Sequence, residues 1–154
     1  MMRDGTPNGY SVLRIDGNDY AIRYKVARRP ADYQMNILAP PVVSSSDPKA
    51  SREVFVNVFA GSERTRVEMR VDGDGAWARL EHVAARSPYF VALKRREAET
   101  RPRPPVPLPP ADRSTHLWRG TLPAGLAAGV RTLEVRATDM FGQTSRALRL
   151  LRVE

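Results

Sequence analysis

Two histidines are the side chains best suited to bind a metal ion or transfer a proton. His116 lies beside Trp118 in a stretch with the alternation of a β-strand, whereas His82 lies in a stretch whose pattern is weak. A hydrolytic two-metal centre requires several histidines and carboxylates that converge at fixed spacing. Two isolated histidines do not provide that set. We therefore predict a packing or surface role for each, and no catalytic or metal-binding residue in this chain.

Two short acidic motifs invite a chemical interpretation, but turns explain them better. The aspartates of Asp72-Gly-Asp74-Gly could begin a calcium loop, yet the ligand spacing does not continue beyond them. The sequence Asp139-Met-Phe-Gly resembles the Asp-Phe-Gly motif of protein kinases, but the partner motifs of a kinase are missing. In both places we predict a tight turn, with the Asp139 carboxylate accepting backbone hydrogen bonds.

The aromatic residues allow two interpretations. Trp77 and Trp118, together with five tyrosines, could form a platform on which sugar rings stack. Alternatively, aromatic side chains at inward positions of strands belong to the core. The first interpretation makes Trp77, His116 and Trp118 candidate surface-binding residues of a carbohydrate-binding module, and the second makes them structural.

The charge balance also allows two interpretations. The chain has 25 Lys and Arg against 17 Asp and Glu, a net charge of +8, and arginine carries the excess. Arginine pairs well with phosphate, so the excess could form a polyanion-binding surface. Alternatively, it reflects a GC-rich genome, and the scatter of the arginines along the chain favours this interpretation. Net charge alone indicates solubility and nonspecific attraction, so we do not expect a nucleic-acid partner.

Composition bounds the remaining classes. The 154 residues are the length of one domain, and the absence of cysteine excludes disulfides and a thiolate nucleophile. No apolar run approaches the roughly 20 residues that span a bilayer. The first residues contain no apolar stretch of the signal-peptide type, so we expect the chain to continue from a longer polypeptide.

Alternating apolar residues predict the elements that would position these side chains. Residues 10–15 and 20–26 flank Asp16-Gly17, which is a hairpin signal. Residues 53–59 are apolar on both faces, which predicts a central strand. Further strands are predicted by the patterns of residues 36–39, 66–72, 76–80, 88–93, 115–120 and 132–138 and of the residues after the turn at Asp139. Residues 82–86 could hold a helical turn.

About eight to ten strands and almost no amphipathic helix predict an all-β domain over residues 1–154. Two packed antiparallel sheets are the expected form, an immunoglobulin-like, fibronectin type III-like or jelly-roll-like sandwich. Residues 94–114 interrupt the pattern with six prolines between Pro102 and Pro110. Proline cannot donate to a sheet, so this segment is expected to be extended. It is either a docking segment for a proline-recognition domain or a long crossover loop.

Several blocks of sequence, in order along the chain, resemble the C-terminal domain of bacterial calcineurin-like phosphoesterases. These blocks are Asp4-Gly-Thr-Pro-Asn-Gly-Tyr10, the hairpin through Asp16-Gly17, Ala31-Asp-Tyr-Gln-Met-Asn-Ile37, Glu53-Val-Phe-Val-Asn-Val-Phe59, Pro88-Tyr89, Ser114-Thr-His-Leu-Trp118 and Glu134-Val-Arg-Ala-Thr-Asp-Met-Phe-Gly142. The resemblance implies a β-sandwich that follows a metal-dependent phosphoesterase domain, in a secreted or periplasmic hydrolase. The two divalent metal ions of that family belong to the catalytic domain, so no cofactor is expected here.

The resemblance carries over fold and membership but no catalytic residue. The metal motifs of the family, of the types Asp-x-His, Gly-Asp-x-x-Asp, Gly-Asn-His-Asp/Glu and Gly-His-x-His, are all missing from this sequence. Residues 1–10 resemble the segment that leaves the phosphoesterase core. Asp4, Asn8, Gly9 and Tyr10 are therefore candidates to face the catalytic domain or its active site. The expected role is to pack on the catalytic domain of the same polypeptide and shape substrate access; the alternative is a polyanion- or carbohydrate-binding module.

Overall fold

The computed structural model describes residues 1–47, 50–73 and 75–154. In these residues the chain forms eleven strands and one helix, in the order β1 (Gly9–Asp16), β2 (Asp19–Val26), β3 (Met35–Leu38), β4 (Val42–Val43), β5 (Glu53–Val58), β6 (Arg66–Val71), β7 (Ala78–Arg79), β8 (Glu81–Arg86), α1 (Pro88–Glu99), β9 (Arg113–Thr121), β10 (Gly129–Thr138) and β11 (Thr144–Val153).

Two antiparallel-rich sheets form the body of the domain. One has the strand order β4-β11-β10-β6-β7 and the other β3-β5-β9-β8, and only the short β4 pairs in parallel, with β11. One core cluster contains side chains from both sheets, among them Val54 and Val56 of β5 and Leu133 and Val135 of β10. The predicted all-β sandwich is confirmed.

Strand β10 shows why the pattern was informative. Leu133, Val135 and Ala137 are buried in the core, while the side chains of Glu134 and Arg136 lie on the other face. The strand then ends in the predicted turn, where the Asp139 carboxylate accepts the N–H groups of Phe141 and Gln143 at 2.9 and 2.8 Å. A period of two fixes which face is buried, because a shift of one residue would turn every apolar side chain to water.

The prediction of a strand over residues 88–93 is wrong, because these residues begin helix α1. Pro88 occupies the first turn, where its missing N–H costs nothing, and Phe90 is fully buried. The residues that follow, 94–99, are good helix formers and extend the helix to Glu99. The weak suggestion of a helical turn at residues 82–86 is also wrong, since they belong to strand β8.

The proline-rich segment is therefore shorter than the predicted residues 94–114. It follows the helix, which ends at Glu99, and it ends before β9 begins at Arg113. Its middle is held against α1, because Lys94 Nζ donates to the Leu108 carbonyl and the Glu97 carboxylate accepts the Leu108 N–H. The hydrogen bond from the Leu108 N–H holds the pKa of Glu97 below its usual value.

The predicted hairpin around Asp16-Gly17 forms, but as a separate two-stranded ribbon, β1–β2, outside both sheets. Gly17 adopts a φ of +60° at the tip, a conformation that glycine takes at little cost. At the base, Tyr24 and Val26 pack in a small cluster with Phe59 and Tyr33. Every residue of β1 is exposed. In the described residues no helix is both long and apolar enough to cross a membrane.

Candidate functional site

His116 lies at the centre of a polar cluster in which three segments of the chain meet. Its Nδ1 is 2.9 Å from Asn57 Oδ1 on β5, and its Nε2 is 3.2 Å from Asp4 Oδ2 and 3.3 Å from Thr6 Oγ1. Asn57 and Thr6 are each only 1% exposed. With a proton on Nδ1 alone, the ring donates to Asn57 and its Nε2 accepts from the Thr6 hydroxyl. With a proton on each nitrogen, Nε2 no longer accepts and instead donates to the Asp4 carboxylate.

The same cluster fixes the segment of residues 4–7 to the sandwich. Asn57 Nδ2 donates to the Asp4 carbonyl at 3.3 Å, and the Tyr24 hydroxyl donates to the Pro7 carbonyl at 2.7 Å. Gly5 has a φ of +88°, and a Cβ there would lie 2.5 Å from Ser87 Oγ, so only glycine allows this close approach. We call residues 4–7 with Asn57 and His116 the anchor.

A second attachment, between Arg3 and Asp112, lies just N-terminal to the anchor. The Asp112 N–H donates to the Arg3 carbonyl at 3.0 Å, and Arg3 Nε is 3.2 Å from the Asp112 carboxylate. Asp112 directly precedes β9, the strand that carries His116. The first residues of the chain are thus attached at two points, one within β9 at His116 and one immediately before β9 at Asp112.

The candidate residues of the first segment separate into two groups. The Asp4 side chain is 30% exposed and its carboxylate contacts His116 and Thr6. Asn8, Gly9 and Tyr10 are exposed where the ribbon begins. The structure therefore places Asp4 in the anchor and presents the other three residues to solvent.

Opposing influences act on the ionisation of Asp4. Burial raises the pKa of this carboxyl, but the hydrogen bonds from the Thr6 N–H and from His116 outweigh it and hold the pKa below its ordinary value. The anchor therefore favours the ionised carboxylate.

We expect Asp4 to stabilise the fold at neutral pH and to lose that effect in acid. A carboxyl whose pKa is lowered by folding contributes its full stabilisation above its unfolded pKa of about 3.9, and the contribution disappears as the pH falls through the lower folded pKa. In urea unfolding, Asp4→Asn should thus cost more at pH 7 than at pH 2–3. Asp32→Asn, at an exposed aspartate, is the control and should cost little at either pH. An Asp4→Asn cost that is the same at both values would contradict this assignment.

His82 is held by different groups. Its Nε2 is 2.7 Å from the Thr115 carbonyl, and its ring lies 4.8 Å from that of Trp118. Both imidazoles therefore contact protein groups. Among the described residues, no three histidine, aspartate or glutamate side chains are grouped so that they could hold a metal ion. Asp72 binds Arg131 and the Thr132 N–H, while Asp74, the second aspartate of the calcium-like motif, lies outside the described residues.

The two tryptophans have different environments. Trp118 is 1% exposed in the core between the sheets, so its ring offers no surface to a sugar. Trp77 lies on the outer side of the five-stranded sheet beside two guanidinium groups, with Arg136 Cζ at 4.1 Å and Arg70 Cζ at 4.5 Å from the ring centroid. The stacking surface of Trp77 is thus already used by arginines.

Those arginines belong to a charged network on the same face. Glu68 binds Arg66 and Arg136, and Glu134 binds Arg70 and Arg146. The hydrogen bond from Arg136, aided by that from Arg66, holds the pKa of Glu68 low although burial opposes it. These four guanidinium groups are already paired with two carboxylates. A polyanion would have to compete with those carboxylates, so the four arginines contribute less to a polyanion-binding surface than four unpaired arginines would.

Sequence reasoning missed Asn57, Thr6 and Ser87. Asn57 is the one polar residue within the apolar run from Val54 to Phe59, and a polar side chain in a central strand must find a hydrogen-bond partner. That rule predicts a partner for Asn57 but does not identify it. Thr6 and Ser87 carried no comparable signal. The buried Ser87 Oγ has no hydrogen-bond partner among the described residues, and it faces Gly5.

Comparison with known proteins gave one match. A family model described as the C terminal of calcineurin-like phosphoesterase matches residues 1–144. The matched range contains the anchor, the ribbon and every strand up to the first residue of β11. Comparison with the curated proteins and with the solved structures gave no match.

Proposed function

This chain belongs to the family of C-terminal domains of calcineurin-like phosphoesterases, and from this premise we propose that it is a non-catalytic accessory domain, which packs on the catalytic domain of the same polypeptide and shapes the access of substrates. The observation that carries the proposal is the family match, which begins at residue 1. It therefore includes residues 1–7, which we call the lead-in segment. The catalytic domain would supply the metal ions and the hydrolytic chemistry. A bacterial, periplasmic or secreted setting is part of the proposal and rests on the family resemblance.

The engagement of both histidines supports a non-catalytic role. A metal ligand needs a free lone pair on one ring nitrogen. In His116 both nitrogens contact Asn57, Asp4 and Thr6, so a metal ion there would have to displace contacts that hold the fold together. In His82 the Nε2–H donates to the Thr115 carbonyl and Nδ1 keeps its lone pair, but within the described residues no set of three histidine, aspartate or glutamate side chains is grouped to hold a metal ion. These residues are better suited to fixing the lead-in segment than to chemistry.

The contacts of residues 1–7, the lead-in segment, support the packing role. Met1 and Gly5 line the same groove as Val26 and Ala27, at the base of the ribbon. The Gly5 N–H donates to the Met2 carbonyl and the Met2 N–H to the Thr6 carbonyl, so the first residues form a closed turn. These contacts fix the path of the first residues along the base of the ribbon, which supports a defined position for the polypeptide that enters the sandwich there.

The proposal is tested by assaying the domains together and apart. We expect the 154-residue chain to show only background hydrolysis of p-nitrophenyl phosphate and bis(p-nitrophenyl) phosphate with added manganese or zinc. The two-domain polypeptide should hydrolyse at least one of them, and removal of the C-terminal domain should change KM several-fold or alter the preference between the two esters. Chelator-sensitive turnover by the isolated chain that disappears in His116→Gln would overturn the proposal.

A further inference from the structure

We propose that the ribbon β1–β2 is the surface on which the phosphoesterase domain docks, through the exposed apolar side chains of β1. This inference rests on the proposed function, and it adds which face of the sandwich meets the catalytic domain and by what chemistry. The expected contact is an apolar strip or a strand edge of the catalytic domain laid along β1.

The ribbon exposes large apolar side chains that a hairpin surrounded by water would normally replace with polar ones. The exposed fractions are 59% for Tyr10, 51% for Val12, 57% for Leu13, 70% for Ile15 and 53% for Tyr20. The register places Leu13 and Ile15 opposite Ile22 and Tyr20, and it places Tyr10 and Val12 opposite Lys25 and Arg23. β1 thus carries apolar residues on both of its faces, whereas a strand with one face in water normally alternates. Contiguous exposed apolar surface of this kind marks interaction sites.

The other strand edges are covered, short or irregular, whereas β1 is none of these. The outer edge of β2 is covered, because its Ile22 and Tyr24 carbonyls accept hydrogen bonds from Gln143 and Gln34. The edges of the five-stranded sheet are β4 and β7, of two residues each, and those of the four-stranded sheet are β3, of four residues, and β8, which has a register shift between Val83 and Ala85. Short or irregular edge strands discourage pairing with other chains. β1 has eight residues, all exposed, and pairs only with β2 in the described part of the chain. An edge of this length with apolar side chains is a template for another strand.

The ribbon is also held in place before any partner arrives. The Tyr24 hydroxyl donates to the Pro7 carbonyl, and the Tyr24 ring meets Phe59 edge to face. Nearer the tip, Tyr20 packs edge to face on Phe141 at 5.4 Å, and Gln143 Nε2 donates to the Ile22 carbonyl at 3.2 Å. β2 therefore fixes the ribbon to the sandwich and leaves β1 free. A rigid surface loses little conformational entropy on binding.

The position of the first residues selects the occupant. Met1 lies in the groove beside Val26 and Ala27, and the Ala27 N–H donates to the Asn8 carbonyl. The first residues therefore lie next to the base of the ribbon, and polypeptide that precedes them would approach the sandwich on this side. The proposed function puts the phosphoesterase domain in the same polypeptide, and tethering can give such a domain a local concentration of the order of millimolar, which a second, untethered copy of this chain does not have. We therefore assign β1 to the tethered phosphoesterase domain.

The test uses the two-domain polypeptide with a protease site inserted between the domains. The double variant Leu13→Thr/Ile15→Thr removes the apolar contacts but keeps strand-forming residues. The matched control is Leu148→Thr/Leu150→Thr, at positions that are 68% and 67% exposed on the other sheet. After cleavage we expect the halves of the wild type and of the control to remain associated, and the dissociation constant of the β1 variant to rise at least tenfold. Hydrogen exchange of the β1 amides should slow at least tenfold in the two-domain polypeptide relative to the 154-residue chain.

Two results would overturn the inference, and each differs from a failure of the proposed function. If β1 exchanges equally fast in both proteins while the two-domain polypeptide hydrolyses phosphate esters as proposed, the domain docks elsewhere and only the ribbon assignment fails. If the isolated chain sediments as a dimer that the β1 variant dissociates, a second copy occupies the ribbon. Failure of the proposed function would instead be seen in the hydrolysis assays, which do not depend on the β1 variant.

Discussion

Replacing Trp118 with alanine is expected to lower the free energy of unfolding by about 3–5 kcal/mol, the usual cost of removing a large buried aromatic side chain. The Trp118 ring is 1% exposed and lies so close to Gly61 that a Cβ on that glycine would be 2.6 Å from Cη2. On another side His82 packs against the indole. These neighbours belong to strands and turns that cannot collapse into the space, so a cavity would remain. Urea unfolding followed by circular dichroism measures the loss.

Trp77→Ala is the matched control for this prediction. Trp77 is half-buried on the outer face, and its main contacts are the guanidinium groups of Arg70 and Arg136. Each exposed cation–π contact contributes about 0.5–1 kcal/mol, so we expect a cost of about 1–2 kcal/mol. Equal costs for Trp77→Ala and Trp118→Ala would contradict the placement of Trp118 in the core. Tryptophan fluorescence that shifts when glycans are added to the Trp77→Ala variant would contradict it as well.

Replacing Asn57 with alanine is expected to cost about 1–3 kcal/mol and to release the first residues of the chain. Asn57 Oδ1 accepts from His116 Nδ1, and its Nδ2 donates to the Asp4 carbonyl. Asn57 is 1% exposed and the His116 side chain 12%, so water has little access to this pair. The variant leaves a ring nitrogen and a carbonyl without partners, which costs more than the hydrogen bonds themselves contribute. Unfolding in urea measures the stability, and hydrogen exchange of the Thr6 amide reports on the anchor.

Asn36→Ala provides the comparison. Asn36 stands opposite Asn57 in the β3–β5 register but is only half-buried, so its replacement should cost less and leave the Thr6 amide protected. If both variants have the same stability and the Thr6 amide exchanges at the wild-type rate in Asn57→Ala, the anchor does not hold the lead-in segment.

Elements with a clear local period could be predicted from the sequence. Leu133, Val135 and Ala137 define the buried face of β10 because burial of one face enforces alternation. The hairpin at Asp16-Gly17 was equally predictable, because few residues other than glycine accept its backbone conformation. Its position outside both sheets was not, since a ribbon and a sandwich strand show the same alternation.

The helix and the anchor show where local patterns stop being sufficient. Residues 88–93 are a short apolar run, which is compatible with a strand or a helix, and the decision came from residues 94–99 and from the burial of Phe90. His116 and Asp4 are 112 residues apart in the chain. A contact of that span depends on how the sheets assemble, so the residue types suggested a structural role for His116 without identifying its partners.

The attachment of the chain's beginning to β9 has a mechanical consequence. Arg3 is fastened to Asp112 just before β9 starts, and Asp4 and Thr6 are fastened to His116 within it. β9 lies inside its sheet, between β5 and β8. Tension applied at Met1 would therefore be distributed over the hydrogen bonds on both sides of an interior strand. It would not separate an edge strand from its sheet one hydrogen bond at a time. A neighbouring domain that moves during turnover would be pulling on one of the most firmly held parts of the molecule.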